Sequence, residues 1–164
     1  MVKFIVDSML GDVARWLRML GYDTLYSRRY EDWRVLQIAE KEGRTIITRD
    51  RGLFVKARKR GINAVLIYPE GRTERVLAKI AVKTGIKLVF DPSKTRCPYC
   101  NVRLERLSRA EALSLVPPKV AAAYDTFWRC PKCGRIYWKG SHWRTIDEVL
   151  KKANDLIHVG EWGS

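Results

Sequence analysis

Over residues 1–92 the apolar positions fall into two kinds of run, and the two alternate along the chain. Residues 3–6 form a short apolar stretch. Residues 9–20 carry helical spacing, with Val13, Trp16, Leu17 and Leu20 on one stripe and Gly21 in the C-cap position. The pattern then predicts a strand at 22–26 and a helix at 32–42, with Trp33, Leu36 and Ala39 or Ile38 facing inward and Gly43 as its stop. A third strand is predicted at 45–48 and a short helix at 53–60, ended by Gly61. A continuous apolar strand at 64–68 closes at Pro69 and Gly71. A helix at 73–83, with Val76, Leu77, Ile80 and Ala81 as its buried face, leads to a last candidate strand at 87–90. Short all-apolar strands separated by helices describe an α/β fold whose parallel sheet is covered on both faces.

The pattern changes near Asp91-Pro92-Ser93-Lys94. Beyond it come all the cysteines, each pair carrying a Cys–Pro step, and four of the six tryptophans. The predicted division is a domain over 1–92 and a small module over 93–164 with a helical tail. The spacer between the cysteine pairs (LSRAEALSLVPPKVAAAYDTF) has a first part with helical character, broken at Pro117-Pro118.

Charge adds a partner. Thirty-two Lys and Arg against 18 Asp and Glu leave +14, an excess that favours a polyanion, above all nucleic acid. A charged surface tuned for solubility or heat resistance is the plainer alternative. No apolar stretch reaches the ~20 residues that span a bilayer, and Asp7 comes too early for a signal peptide. A soluble, cytoplasmic protein with no membrane partner is expected.

The four cysteines form two C-x-x-C pairs, Cys97/Cys100 and Cys130/Cys133. Outside an oxidising compartment such pairs read as metal ligands before disulfides. Two knuckles give a closed tetrahedral site of four thiolates, which suits structural zinc and leaves no open position for substrate. Asn101 and Gly134 stand where each knuckle turn needs a left-handed backbone. His142 is a fifth candidate ligand, but four cysteines already satisfy the ion. Behind the second knuckle, GRIYWKGSHWRTID interleaves Tyr137, Trp138, His142 and Trp143 with Arg135, Lys139 and Arg144. Lys139, His142 and Trp143 suit stacking on unpaired bases with phosphate contacts. Equally, Tyr137 and Trp138 can pack the module against the first domain.

Asp7 and Asp50 end the first and third predicted strands, where ligands of parallel sheets gather. Asp32 opens the helix that leads into the Asp50 strand and is the best third partner; Glu31 stands next to it. Carboxylates brought together repel one another unless a hard cation such as Mg²⁺ or Mn²⁺ is bound. Arg49 and Arg51 flank Asp50, and Arg15 and Arg18 share one side of the first helix, so four guanidiniums stand ready to grip phosphate. The plainer alternatives are that Asp50 and Asp32 cap helices and that Asp7 pairs with an arginine.

Three blocks of the chain, KFIVDSMLGDVARWLRMLGYDTLY, ITRDRGL, and CPYCN with FWRCPKCGRIYWKGSHW, resemble the Mut-seven C-terminal RNase domain family. That resemblance implies a PIN-like three-layer α/β domain with a mainly parallel central sheet, and a zinc ribbon behind it. It also implies a Mg²⁺- or Mn²⁺-dependent ribonuclease using Asp7, Asp32 and Asp50, with RNA as its partner. A fourth acidic residue, common among PIN nucleases, has Glu70 or Glu74 as candidates. The competing reading is a non-catalytic RNA-binding or ribosome-associated zinc-ribbon protein, in which the acids serve as caps.

Overall fold

The computed structural model describes residues 1–68 and 71–162. Four strands, β1 (Phe4–Val6), β2 (Thr24–Tyr26), β3 (Thr45–Thr48) and β4 (Ala64–Leu66), form one sheet in the order β2-β1-β3-β4. Every pairing is parallel, with Val6 opposite Ile47 and Ile5 opposite Ile46. The expected parallel α/β architecture is therefore present.

Register explains why both faces are apolar. Side chains alternate across a strand, so opposed pairs share a face. Phe4, Val6 and Ile47 enter one cluster with Leu17 of α1 (Gly11–Met19) and with Leu77 and Ile80 of α4 (Thr73–Thr84). Ile5 and Ile46 enter the other, with Val35 and Leu36 of α2 (Asp32–Glu42) and Leu53 and Ala57 of α3 (Arg51–Lys59). Complete burial of such side chains stabilises the fold by about 1.5–3 kcal/mol each.

Two expectations are corrected. Trp33 does not face inward: it is 59% exposed, and its Nε1–H donates to Glu31 Oε2 at 2.7 Å. The buried stripe of α2 is Val35, Leu36, Ile38 and Ala39, and Trp33 lies on the far side of the helix. Residues 87–90 form no strand, although Leu88 is buried between exposed Lys87 and Val89. Side chains satisfy this backbone instead of a ladder: Lys87 N–H donates to Tyr22 Oη at 3.2 Å, and Leu88 O accepts from Asn154 Nδ2 at 3.2 Å.

The remaining chain builds a small antiparallel sheet in the order β5-β6-β7 from Glu105–Ser108, Thr126–Arg129 and Ile136–Trp138. Between β5 and β6 lie α5 (Arg109–Ala112), opened by a Ser108/Glu111 capping box, and α6 (Pro118–Ala123), which begins on proline. Among the described residues, the apolar cluster here is built on Leu107, Ala112 and Phe127 alone, with Ala121 and Cys130 buried beside it. A core so small needs outside support. The long α7 (Ser141–Val159) then returns to lie against α4, adding Leu150 and Ala153 to the first apolar cluster.

Candidate active site and cysteine centre

Asp7 follows β1, Asp50 follows β3, and Asp32 is the first residue of α2, so all three sit at the carboxyl rim of the sheet. Asp7 is nearly buried. Its Oδ2 accepts from Thr48 Oγ1 at 2.7 Å and its Oδ1 from Ser8 Oγ at 3.3 Å. It forms no ion pair among the described residues. Thr48 Oγ1 also accepts from the Asp50 N–H at 2.9 Å, so one hydroxyl links two carboxylate residues.

Asp50 does cap α3: Oδ1 accepts from Leu53 N–H at 3.1 Å. That uses one oxygen and leaves Oδ2 without a hydrogen-bond partner among the described residues. Asp32 does not act as a cap; Glu31 holds that position and makes no side-chain capping bond either. The Asp32 carboxyl is raised above the usual carboxylate range, first by lost hydration and then by the charges of Asp50 and Asp7, with Lys56 opposing. The three acids thus feel one another. They are held wider than the thiols: among the described residues, the four cysteines are the only ligand-type group whose donor atoms all approach within 4.8 Å.

The donor set fits a hard cation chemically. All three residues offer carboxylate oxygens, and the mutual repulsion that raises Asp32 is what a divalent ion relieves. Of the acidic candidates for a fourth ligand, Glu70 lies outside the described residues. Glu74 falls in the first turn of α4 and lines a groove between α4 and α7.

The arginines divide. Arg15, Arg28 and Arg49 line a cleft of about 420 Å³ beside Ser8 and Tyr26. Arg15 pairs with Asp12 at 3.0 Å, and Arg49 reaches Met9 Sδ at 3.4 Å. Arg51 is exposed at the start of α3. Arg18 is placed differently. It is buried, donating from Nε to Thr24 O at 2.9 Å and from a terminal nitrogen to Pro98 O at 2.7 Å. It ties α1 and β2 to the first cysteine loop.

That loop and its partner are near copies. Asn101 N–H donates to Cys97 O at 2.8 Å, and Gly134 N–H to Cys130 O at 2.9 Å. Asn101 has φ 64° and Gly134 φ 78°, the left-handed turns the sequence called for. Cys97 Sγ and Cys133 Sγ are 3.8 Å apart. Metal–sulfur bonds of ~2.3 Å in a tetrahedron put the sulfurs about 3.8 Å apart, so the cluster fits a tetrahedral ion. Cys133 is lowered to about 6, first by the Arg135 backbone amide, while Cys100 is pushed up to about 12, first by lost hydration. A bound cation would override this uneven sharing by holding all four as thiolates.

Asn101 also reaches across: its Oδ1 accepts from Thr24 N–H at 3.0 Å, and its Nδ2 donates to Asp23 Oδ1 at 2.8 Å. Asp23 in turn accepts from Arg44 at 3.0 Å, and Arg44 donates to Phe4 O at 3.0 Å. Trp143 packs on Phe90 and Trp128 with ring centroids at 4.5 and 5.8 Å, and Lys139 Nζ lies 5.2 Å from its ring. His142 is exposed in the first turn of α7. Tyr137 Oη contacts Cys97 Sγ at 3.6 Å.

Sequence reasoning missed Thr48, Tyr26 and Gly11, and it read Arg18 as a phosphate contact rather than as a buried tie. Thr48 carried a signal: a hydroxyl in a fully buried strand needs a partner. Tyr26 Oη donates to Ser8 O at 3.0 Å, and a Cβ on Gly11 would come 3.0 Å from that same Oη. The loop after Asp7 is therefore fitted around Tyr26. A family model described as Mut7-C RNAse domain matches residues 2–150. No curated protein and no solved structure matches the chain.

Proposed function

The chain belongs to the Mut7-C RNAse domain family, and on that premise we propose that it is a divalent-metal-dependent ribonuclease working at Asp7, Asp32 and Asp50, with structural zinc on its four cysteines. The observation that carries the reading is the electrostatic coupling of three sequence-distant carboxylates at one rim, expressed in the raised Asp32. Asp7, Asp32 and Asp50 would hold Mg²⁺ or Mn²⁺. Bound there, such an ion supplies Lewis-acid stabilisation of phosphate charge and acidifies water.

The chain's own groups do the rest. Thr48 donates to Asp7 Oδ2 and so keeps that carboxylate oriented. The α3 amide turns Asp50 so that only one oxygen is used internally. Arg15, Arg28 and Arg49, along the adjoining cleft, are placed to pair with successive phosphates, and Arg51 stands beside Asp50. Thiolate ligation would fix the knuckle that Arg18 and Asn101 fasten to β2, and so brace the edge of the sheet. Lys139, His142 and Trp143 offer a second RNA contact beyond this junction.

The test is to incubate end-labelled RNA with the protein and Mn²⁺, with and without EDTA. Shortened strands in Mn²⁺ alone are expected. Salt-sensitive binding with intact strands at every Mn²⁺ concentration would instead support the non-catalytic RNA-binding or ribosome-associated reading.

A further inference from the structure

A larger cleft, of about 680 Å³, runs between α4 and α7, and nothing in the proposed chemistry uses it. It shares Ile67, Tyr68, Gly71 and Val76 with the arginine-lined cleft at the rim, so the two form one continuous surface path. We infer that this α4/α7 groove is a second RNA subsite, holding the single strand that runs on from the cleavage rim. The inference rests on the reading of the rim as an RNA-cleaving site and extends it to the form of substrate: an unpaired strand long enough to leave the rim.

Charge and aromatic placement favour this occupant. Among the described residues, Arg72, Arg75, Lys79 and Lys152 line the groove against two acids, Glu74 and Asp155. Its floor is largely apolar, supplied by Val76, Leu156 and Val159. An aromatic ring with an ammonium poised over it recurs twice. Lys79 Nζ lies 4.7 Å from the centre of the Tyr68 ring, and Lys83 Nζ lies 5.5 Å from that of Trp162. Both rings line the groove. Lys83 is exposed and Lys79 half-buried; near the surface an ammonium is held weakly by a ring face and carries a flexible stem. When a strand enters, each lysine can swing to a phosphate and leave its ring for a base. Apolar platforms with movable cations are how proteins hold single strands without reading sequence.

The experiment uses the zinc-loaded full chain with no Mg²⁺ or Mn²⁺ added, so binding is read without cleavage. Fluorescence anisotropy compares oligouridylates of about four and about twelve nucleotides. The variants are Lys79→Glu/Lys152→Glu and, separately, Trp162→Ala, each checked for an unchanged melting profile. Wild-type protein should bind the longer strand more tightly. Both variants should lose about tenfold of that affinity, with a shallower salt dependence for the lysine pair, and keep their hold on the short strand.

Unchanged long-strand affinity, or equal losses for both lengths, would overturn the inference. So would a wild-type dimer in sedimentation that the lysine variant dissociates while RNA binding stays intact, since the groove would then be an interface between copies. A protein that fails to cleave RNA yet shows the length-dependent loss would refute the nuclease reading and leave the subsite standing.

Discussion

Thr48 donates its hydroxyl to Asp7 Oδ2 at 2.7 Å while wholly buried at the end of β3. Through the same oxygen it accepts the N–H of Asp50. Replacing it with valine keeps the shape and strands both groups. Thr48→Val should therefore destabilise the protein by about 1–3 kcal/mol in urea titration, and Thr48→Ser by much less. Equal stability of the valine variant and wild type would show that the hydroxyl is dispensable.

Asp32 gives a pH signature in the metal-free protein. Its folded-state pKa lies above the ordinary value of 3.8, so the native state holds that proton more tightly than the unfolded chain. The stabilising contribution is present below 3.8 and is lost as pH rises through the raised value. Asp32→Asn should remove this loss. In EDTA at neutral pH the variant should melt at or above the wild-type temperature, and Mn²⁺ should raise the melting point of wild type only. A variant that melts lower in EDTA would mean that Asp32 is held by favourable contacts rather than by repulsion.

The arginines are predicted to part company. Arg18 donates to two backbone carbonyls from a buried position, so Arg18→Met should lower stability by about 1–3 kcal/mol, the cost of orphaning buried acceptors. Arg49→Met should leave stability within ~0.5 kcal/mol and weaken RNA binding. Melting curves and anisotropy titrations on the two variants separate these outcomes. The reverse pattern would place Arg18, and not Arg49, on the substrate.

Much of this was legible in the chain itself. Strand and helix periods gave the four parallel strands, because both faces of β1 and β3 are buried and the only polar residues in them are Thr45 and Thr48 at the two ends of β3. The knuckle turns were readable because Asn101 and Gly134 are among the few residue types that tolerate positive φ. What escaped depends on distant partners. Residues 87–90 alternate in burial like a strand, yet Tyr22 and Asn154 take their hydrogen bonds. Arg18 looks like a surface cation by composition, and only the loop carrying Pro98 makes it a buried tie. Trp33 was misplaced because its helix stripe begins two residues later.

Metal content checks the cysteine cluster. Zinc should elute at one ion per chain, and cobalt exchanged into the site should show the absorption of a tetrahedral four-thiolate complex. Cys130→Ser should abolish that spectrum and reduce the near-ultraviolet dichroism of the packed Trp128 and Trp143. Cobalt absorption that survives the substitution would contradict four-cysteine ligation.

The most direct test of the central claim is cleavage of a labelled RNA in Mn²⁺ by wild type, Asp7→Asn and Asp50→Asn, with folding confirmed by circular dichroism. Cleavage by wild type, and its loss in both folded variants, is the predicted result. Undiminished cleavage by both variants would contradict the placing of the chemistry at this rim.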